Sequence, residues 1–391
     1  MRVKAREVTF NLRKICTFCS KCLRLRQSDK QGFPIPLRDN YGSLCATKKA
    51  HAMTKTPSRI ALTTDLTAQG RQFGDAMLRW SDNSNPLGYH PIPVISIKGG
   101  AGPVLLLTGA THGDEFEGPS AIMRLVHGLD PDQLRGQIIA IPALNMPALV
   151  GSSRVTPLDG KNLNRAFPGH ADGTPTEMIA HFLETVILPR CDAAIDLHSG
   201  GKASFFQPCT LPTHTADPIL AAKNMELAHV FGLPLIWRLG SANDNRSVNA
   251  AAERVGVPMI ATELGGGGGV DPGITDATER GILNILRHLG MLDGAPEAPP
   301  TQRIVEIADP LESLYATTTG LYDRAVHAGD TVTKGQFAGT FHHITEPERP
   351  SVRLTFASDG MILAYTNRGM VTRGEILALV VQDVQREADK T

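Results

Sequence analysis

His112 and Glu115 stand three residues apart in the stretch GATHGDEFEGPS, residues 109–120, directly after the apolar run PVLLLT. Gly113 between them lets the backbone turn tightly, so that both side chains converge on one point. Histidine and glutamate belong to the His2Glu set that holds a catalytic zinc while leaving a fourth position open. The missing histidine is offered by AAIDLHSGG, where His198 directly follows a second apolar strand, at the same end of a sheet if the strands run parallel. Thirteen histidines occur in the chain, so either one alone reads as structural or solvated. Taken together, H-x-x-E after one strand and D-L-H-S-G after another read as a metal site for one Zn2+ per chain. Asp196, two residues before His198, either points the opposite way along the strand or accepts a hydrogen bond from behind, and the period of two alone leaves this open.

A zinc hydrolase also needs a base. The string IATELGGGGGVDPG supplies Glu263 at the end of a third strand, with five glycines close behind it that suit a loop approaching a ligand rather than a core or a helix. An apolar wall would raise the pKa of this carboxyl and a zinc cation would lower it. GSSRVTPLDGKNLNRAFPG adds Arg154, Asn164 and Arg165 in a polar loop. A guanidinium forks onto a carboxylate, and a second one stabilises the oxyanion that forms when an amide is attacked.

These residues need a scaffold that brings strand ends together. From about residue 90, short aliphatic runs alternate with segments of helical period: strands at 91–97, 103–108, 137–144, 192–197 and 257–264, and helices at 118–129, 175–188, 219–232 and 278–290. This alternation predicts an α/β fold with a mixed, largely parallel sheet flanked by helices on both faces, whose sites gather beyond the carboxyl ends of the strands. The Pro-rich segment 293–301 reads as a linker after a catalytic domain at 53–292. Residues 302–391 then read as a small all-β domain, because GLYDRAVHAGDTVTKGQFAGTF from Gly320 and GMILAYTNRGMVTRGEILALV from Gly360 repeat one β-hairpin pattern. No lysine sits at a hairpin tip between the copies, which makes the domain structural or gating rather than a cofactor carrier.

The net charge is zero, but residues 1–52 hold twelve Lys/Arg against three acidic residues, leaving the remainder at −9. A mildly acidic body argues against nucleic acid as a partner. No apolar run reaches the roughly 18 residues that span a bilayer, and the basic N-terminal segment lacks the apolar stretch of a secretory signal. Cys16, Cys19 and Cys22 would need a fourth soft ligand to hold a metal, with Cys45 the one candidate. The plainer expectation is a disordered basic extension, with Met53 as the true start. Cys191 and Cys209 suggest no disulfide framework, which fits a reducing cytoplasm.

H-G-D-E, D-L-H-S-G, N-L-N-R and T-E-L-G together resemble the motifs of the succinylglutamate desuccinylase and aspartoacylase family, a branch of the zinc carboxypeptidase fold, over about residues 60–390. Within it, GATHGDEFEGP, KNLNRAFPG, DLHSGG and TELGGGG are most similar to the N-alpha-acetyl-L-2,4-diaminobutyrate deacetylases. The resemblance implies that His112, Glu115 and His198 bind zinc and that Glu263 is general base and then acid. It further implies that Arg154 polarises the scissile carbonyl and that Asn164 with Arg165 holds a carboxylate of a small N-acyl amino acid. Two other readings stay open: a metallocarboxypeptidase acting on peptides, and a binding protein that retains a hydrolase fold. The sequence leaves the oligomeric state open, a homo-oligomer included.

Overall fold

The computed structural model describes residues 56–239, 244–297, 301–307 and 309–384. The cysteine run at 16–22, Cys45, Met53 and the linker prolines Pro299 and Pro300 lie outside the described residues.

The chain begins with β1 (Ala61–Leu62), β2 (Gly70–Leu78), β3 (His90–Lys98), β4 (Gly100–Gly109), α1 (Glu117–Gly128), β5 (Arg135–Ile141), α2 (Met146–Val150), α3 (Pro175–Phe182) and β6 (Ala193–His198). It continues through β7 (Ser204–Phe206), β8 (Cys209–Pro212), α4 (Pro218–Phe231), β9 (Leu235–Trp237), α5 (Val248–Val255), β10 (Met259–Glu263) and α6 (Pro272–His288). The all-β remainder comprises β11 (Arg303–Glu306), β12 (Leu314–Tyr315), β13 (Gly320–Arg324), β14 (Thr331–Val332), β15 (Phe337–His342), β16 (Val352–Thr355), β17 (Gly360–Thr366), β18 (Met370–Val371) and β19 (Ile376–Asp383).

The main sheet has the order β1-β2-β3-β5-β4-β6-β10-β8-β9-β11-β19-β17-β14. Its centre, β5-β4-β6-β10, is parallel. The flanking pairs β3-β5 and β10-β8 are antiparallel, so the sheet is mixed. Alternate residues of the central strands face opposite layers, as the pleat requires. Leu105, Leu107, Ile195, Leu197 and Ile260 pack under α1, α4 and α6. Leu106, Ala194 and Met259 pack against α3 and α5 on the other face. Each of the Leu, Ile and Met side chains among them, fully buried, contributes roughly 1.5–3 kcal/mol, so the central strands are anchored independently of any metal.

Boundaries differ from the sequence expectation for local reasons. β5 stops at Ile141 because Pro142 has no N–H to donate. The α-helical part of α3 ends at Phe182; a π-type turn over Leu183–Ile187 and a 3-10 turn over Leu188–Arg190 carry the chain on. In that π-type turn Glu184 is buried and accepts a two-pronged contact from Arg254 of α5, at 3.0 and 2.7 Å. α6 begins six residues before the expected position, with Asp271 accepting from the Ile274 N–H and Pro272 in the first turn.

The internal repeat has a structural counterpart. Each copy gives a strand, a two-residue strand and a second long strand: β13-β14-β15 and β17-β18-β19. The copies exchange partners, since β13 pairs with β18 and β14 with β17. A four-stranded sheet β16-β15-β13-β18 forms beside the main sheet, which itself continues into this region through β11, β19 and β17. Among the described residues no helix is long and apolar enough to cross a membrane.

Candidate metal centre and active site

β4, β6 and β10 lie side by side and run in one direction, so their carboxyl ends form one edge. Glu263 and His198 are register partners across β10 and β6, and Gly109 is level with Leu197. The loop leaving β4 therefore delivers His112 and Glu115 to the point where His198 ends its strand. Gly113 serves this loop differently from the expected tight turn. Its φ is outside the left-handed region, but a Cβ there would lie 1.9 Å from the Ala148 carbonyl carbon in α2. The requirement is space.

The Glu115 carboxylate bridges the two imidazoles: Oε1 is 2.7 Å from His112 Nδ1, and Oε2 is 2.9 Å from His198 Nδ1. All three side chains are buried, and one ligand atom from each lies within 4.8 Å of the others. Behind them, each histidine uses its second nitrogen. His198 Nε2 donates to Asp196 Oδ2 at 2.7 Å, and His112 Nε2 donates to Asn162 Oδ1 at 3.1 Å. Asn162 Oδ1 also accepts from the Asn164 N–H, which identifies that atom as the oxygen. Asp196 is fully buried, and its Oδ1 accepts from the Thr108 and Thr111 hydroxyls at 2.7 and 2.9 Å. It faces the same side as His198, as residues two apart on a strand do.

This arrangement answers the question of metal fit. A neutral imidazole that donates through Nε2 presents a lone pair at Nδ1. Two such lone pairs and two carboxylate oxygens converge here, a set that a cation at their centre would satisfy. Burial opposes charge on His198, yet Asp196 and Glu115 outweigh it and raise its pKa well above the ordinary value. Burial likewise works against the Glu115 anion, and the His112 and His198 rings overcome it, holding that carboxyl far below the usual range. The donor set of two nitrogens and a carboxylate suits zinc.

Glu263 has the opposite character. Burial, reinforced by the negative charge of Glu115, pushes its pKa up to about 8 against the pull of His198 and Arg154. One oxygen, Oε2, is enclosed without a hydrogen-bond partner among the described residues. After it the chain passes through Gly265, Gly266, Gly267 and Gly268 at φ +75°, +137°, +81° and +76°, a run closed to other residues without strain. The loop is tied down: Gly265 O accepts from the Gly200 and Phe206 N–H groups, and Gly267 N donates to Ser204 O.

The remaining expected residues line the same cavity of about 360 Å³. Arg154, half exposed, holds Nη1 3.5 Å from Glu115 Oε1. Asn164 accepts the Val248 N–H at the start of α5 through Oδ1. Arg165 donates through Nη1 to Asn164 O and places Nε 3.1 Å from Asp244 Oδ2. The structure thus brings His112, Glu115, His198, Glu263, Arg154, Asn164 and Arg165 to one cavity. Phe206, Leu211, Trp237 and Leu239 supply its apolar wall. Sequence reasoning missed Asn162, although it stands in the same N-L-N-R string, and Asp244, which no pattern singles out.

A model of the succinylglutamate desuccinylase/aspartoacylase catalytic domain matches residues 101–289. The N-alpha-acetyl-L-2,4-diaminobutyric acid deacetylase of Halomonas elongata is 35% identical over 330 residues, 84% of this chain and 96% of that protein. A succinylglutamate desuccinylase/aspartoacylase from Rhodobacter sphaeroides, known by crystal structure, is 36% identical with a TM-score of 0.78, over 84% of this chain and all of that one. The product-bound ectoine utilization protein of Ruegeria pomeroyi is 32% identical with a TM-score of 0.80, over the same shares.

Proposed function

The chain belongs to the succinylglutamate desuccinylase/aspartoacylase family, and from that premise we propose that it is a zinc-dependent amide hydrolase removing an acetyl group from an N-acyl amino acid such as N-alpha-acetyl-L-2,4-diaminobutyrate. The observation that carries this is the convergence of His112, Glu115 and His198 beside the carboxyl of Glu263, which is level with His198 across β10 and β6. His112, Glu115 and His198 hold the ion. Zinc, when bound, lowers the pKa of a water toward neutrality and polarises a carbonyl.

The protein groups divide the rest of the work. Glu263, at the strand end level with His198, takes a proton from water and returns it to the leaving amine. The Arg154 guanidinium reaches in from the cavity rim, where it meets negative charge developing on the carbonyl oxygen. Asn164 and Arg165 grip the α-carboxylate: the Asn164 oxygen is spent on Val248, leaving its amide N–H2 to donate beside the guanidinium. The apolar wall of Phe206, Leu211, Trp237 and Leu239 excludes water from the reacting amide.

The test is zinc content per chain together with acetate release from a panel of N-acetyl amino acids. About one zinc per chain and turnover of the panel are expected. A chain that purifies and reconstitutes without metal refutes the reading, and faster cleavage of a blocked dipeptide would return the site to a metallocarboxypeptidase.

A further inference from the structure

Arg154 has a demanding role in the reading above, yet its guanidinium is lightly held. Among the described residues its one polar contact is Nη1 at 3.5 Å from Glu115 Oε1, and its side chain is 53% exposed. The backbone that carries Arg154 must therefore set where the guanidinium starts its reach. Two residues beyond α2 that backbone turns through Ser152, whose φ of +45° lies in the left-handed region. Glycine normally takes such a place at a helix end. A Cβ makes the conformation unfavourable, so it persists only where its surroundings impose it.

The Ser152 and Ser153 N–H groups donate to Leu149 O and Ala148 O at 2.9 and 3.0 Å, and the Gly113 N–H of the metal loop donates to Ser153 O at 2.9 Å. Those are backbone contacts. The Ser152 carbonyl is held by a side chain instead: Lys202 Nζ, from the loop after β6, donates to it at 2.8 Å. Lys202 is itself firmly based. Its N–H donates to Asp114 Oδ2 at 3.0 Å, and its carbonyl accepts from Asn367 Nδ2 at 3.4 Å. Its stem lies against the glycine loop that follows Glu263, where a Cβ on Gly268 would come within 2.8 Å of Lys202 Cγ. The residue does not line the cavity. An ammonium on a fixed base thus ties the loop of Arg154 to the strand end that carries His198.

We infer that Lys202 is a positioning residue for Arg154: by holding the Ser152 carbonyl it keeps the left-handed turn in place and the guanidinium directed at the carbonyl oxygen under attack. This rests on the assignment of Arg154 to that oxygen in the hydrolase reading. A displaced donor loses its effect where charge develops in the transition state, so the loss falls on kcat and not on KM.

The experiment uses the full-length zinc-loaded chain with N-alpha-acetyl-L-2,4-diaminobutyrate. Lys202→Met keeps the N–H that meets Asp114 and the stem that lies against Gly268, and removes the ammonium alone. Its kcat is expected to fall about three- to tenfold, the scale of one hydrogen bond to a charged group, with KM and zinc per chain unchanged, while Lys202→Arg keeps most of the rate. Two combined variants separate positioning from general loosening. In an Arg154→Met background Lys202→Met should bring no further loss, because the group it positions is gone. Ser152→Gly added to Lys202→Met should return part of the lost kcat, since glycine adopts positive φ without the tie. An unchanged kcat in Lys202→Met, a loss that repeats in full in the Arg154→Met background, no recovery with Ser152→Gly, or depleted zinc overturns the inference and leaves the hydrolase reading intact. Wild-type kcat in Arg154→Met alone removes the role of that arginine and the inference with it. A wild type that cleaves no N-acetyl amino acid overturns both readings.

Discussion

Replacing Asp196 by asparagine tests how the buried shell behind the histidines tunes the centre. The change is isosteric, and the site can absorb it: with the amide oxygen turned to His198 Nε2, the amide nitrogen meets the Thr108 and Thr111 hydroxyls, which rotate to accept instead of donate. What disappears is a full negative charge 2.7 Å from the imidazole in a fully buried setting. That charge is a principal reason His198 is so basic, and a less basic imidazole is a weaker ligand. Loss of such an outer partner typically weakens metal affinity about 10–100-fold, or roughly 1.4–2.8 kcal/mol. Competition against a chromophoric chelator gives the zinc dissociation constant, and circular dichroism checks that the fold is kept. The converse change, Asn162→Asp, adds charge behind His112 and should tighten zinc several-fold. A folded Asp196→Asn protein that binds zinc within about twofold of wild type would falsify the claim that this carboxylate tunes the ligand.

Glu263→Gln should keep zinc and lose turnover by ~10²–10⁴, because it preserves size and polarity but cannot carry the proton; near wild-type rates remove Glu263 from the chemistry. Arg165→Met should act mainly on KM and hardly affect amidated substrates, whereas Arg154→Met should act mainly on kcat; equal losses in both parameters for both variants contradict the division of roles. Gly113→Ala forces a methyl against the Ala148 backbone and should deplete bound zinc through a displaced loop, measured as metal per chain beside thermal stability; full zinc occupancy in this variant shows that the loop has more room than its geometry implies.

The parts of this molecule that the sequence made legible share a physical property. The ends of β4, β6 and β10 that reach the site are buried on both faces, so they read as largely aliphatic runs, and beyond or at their ends stand residues that mark a site: His112, His198 and Glu263. Strand β2 gave no such signal, since it lies near the sheet edge and exposes Phe73 at 59% while packing Ala76 and Leu78 inward. α5 is two turns long and its apolar face is mostly alanine, too small to raise the periodicity above its polar neighbours. The outer shell is harder still. Asn162 acts through a hydrogen bond to a residue fifty positions earlier, and Asp244 meets Arg165 only because α5 starts against the N-L-N-R loop. Those contacts depend on the tertiary fold, which residue spacing does not encode.

The C-terminal repeat carries a consequence for the cavity that its own sequence does not announce. Because β13 pairs with β18 and β14 with β17, neither copy completes its hydrogen bonding without the other. The two copies must fold as one unit. That unit is joined to the cavity through β17, which pairs with β7 at Ala364–Phe206, Tyr365–Phe205 and Thr366–Ser204, while Asn367 N donates to Ala203 O. Phe205 stacks on Tyr365 at 5.6 Å, and the Arg324 guanidinium lies over the Tyr365 ring, 3.3 Å from its centroid. On the far side of β7, Ser204 and Phe206 bond to the glycine loop that follows Glu263. β7 is three residues long and would not hold its place alone. The wall of the cavity beside Glu263 is therefore fixed from two directions, by the glycine loop and by the repeat, and a change at Tyr365 or Arg324 reaches the site through one short strand.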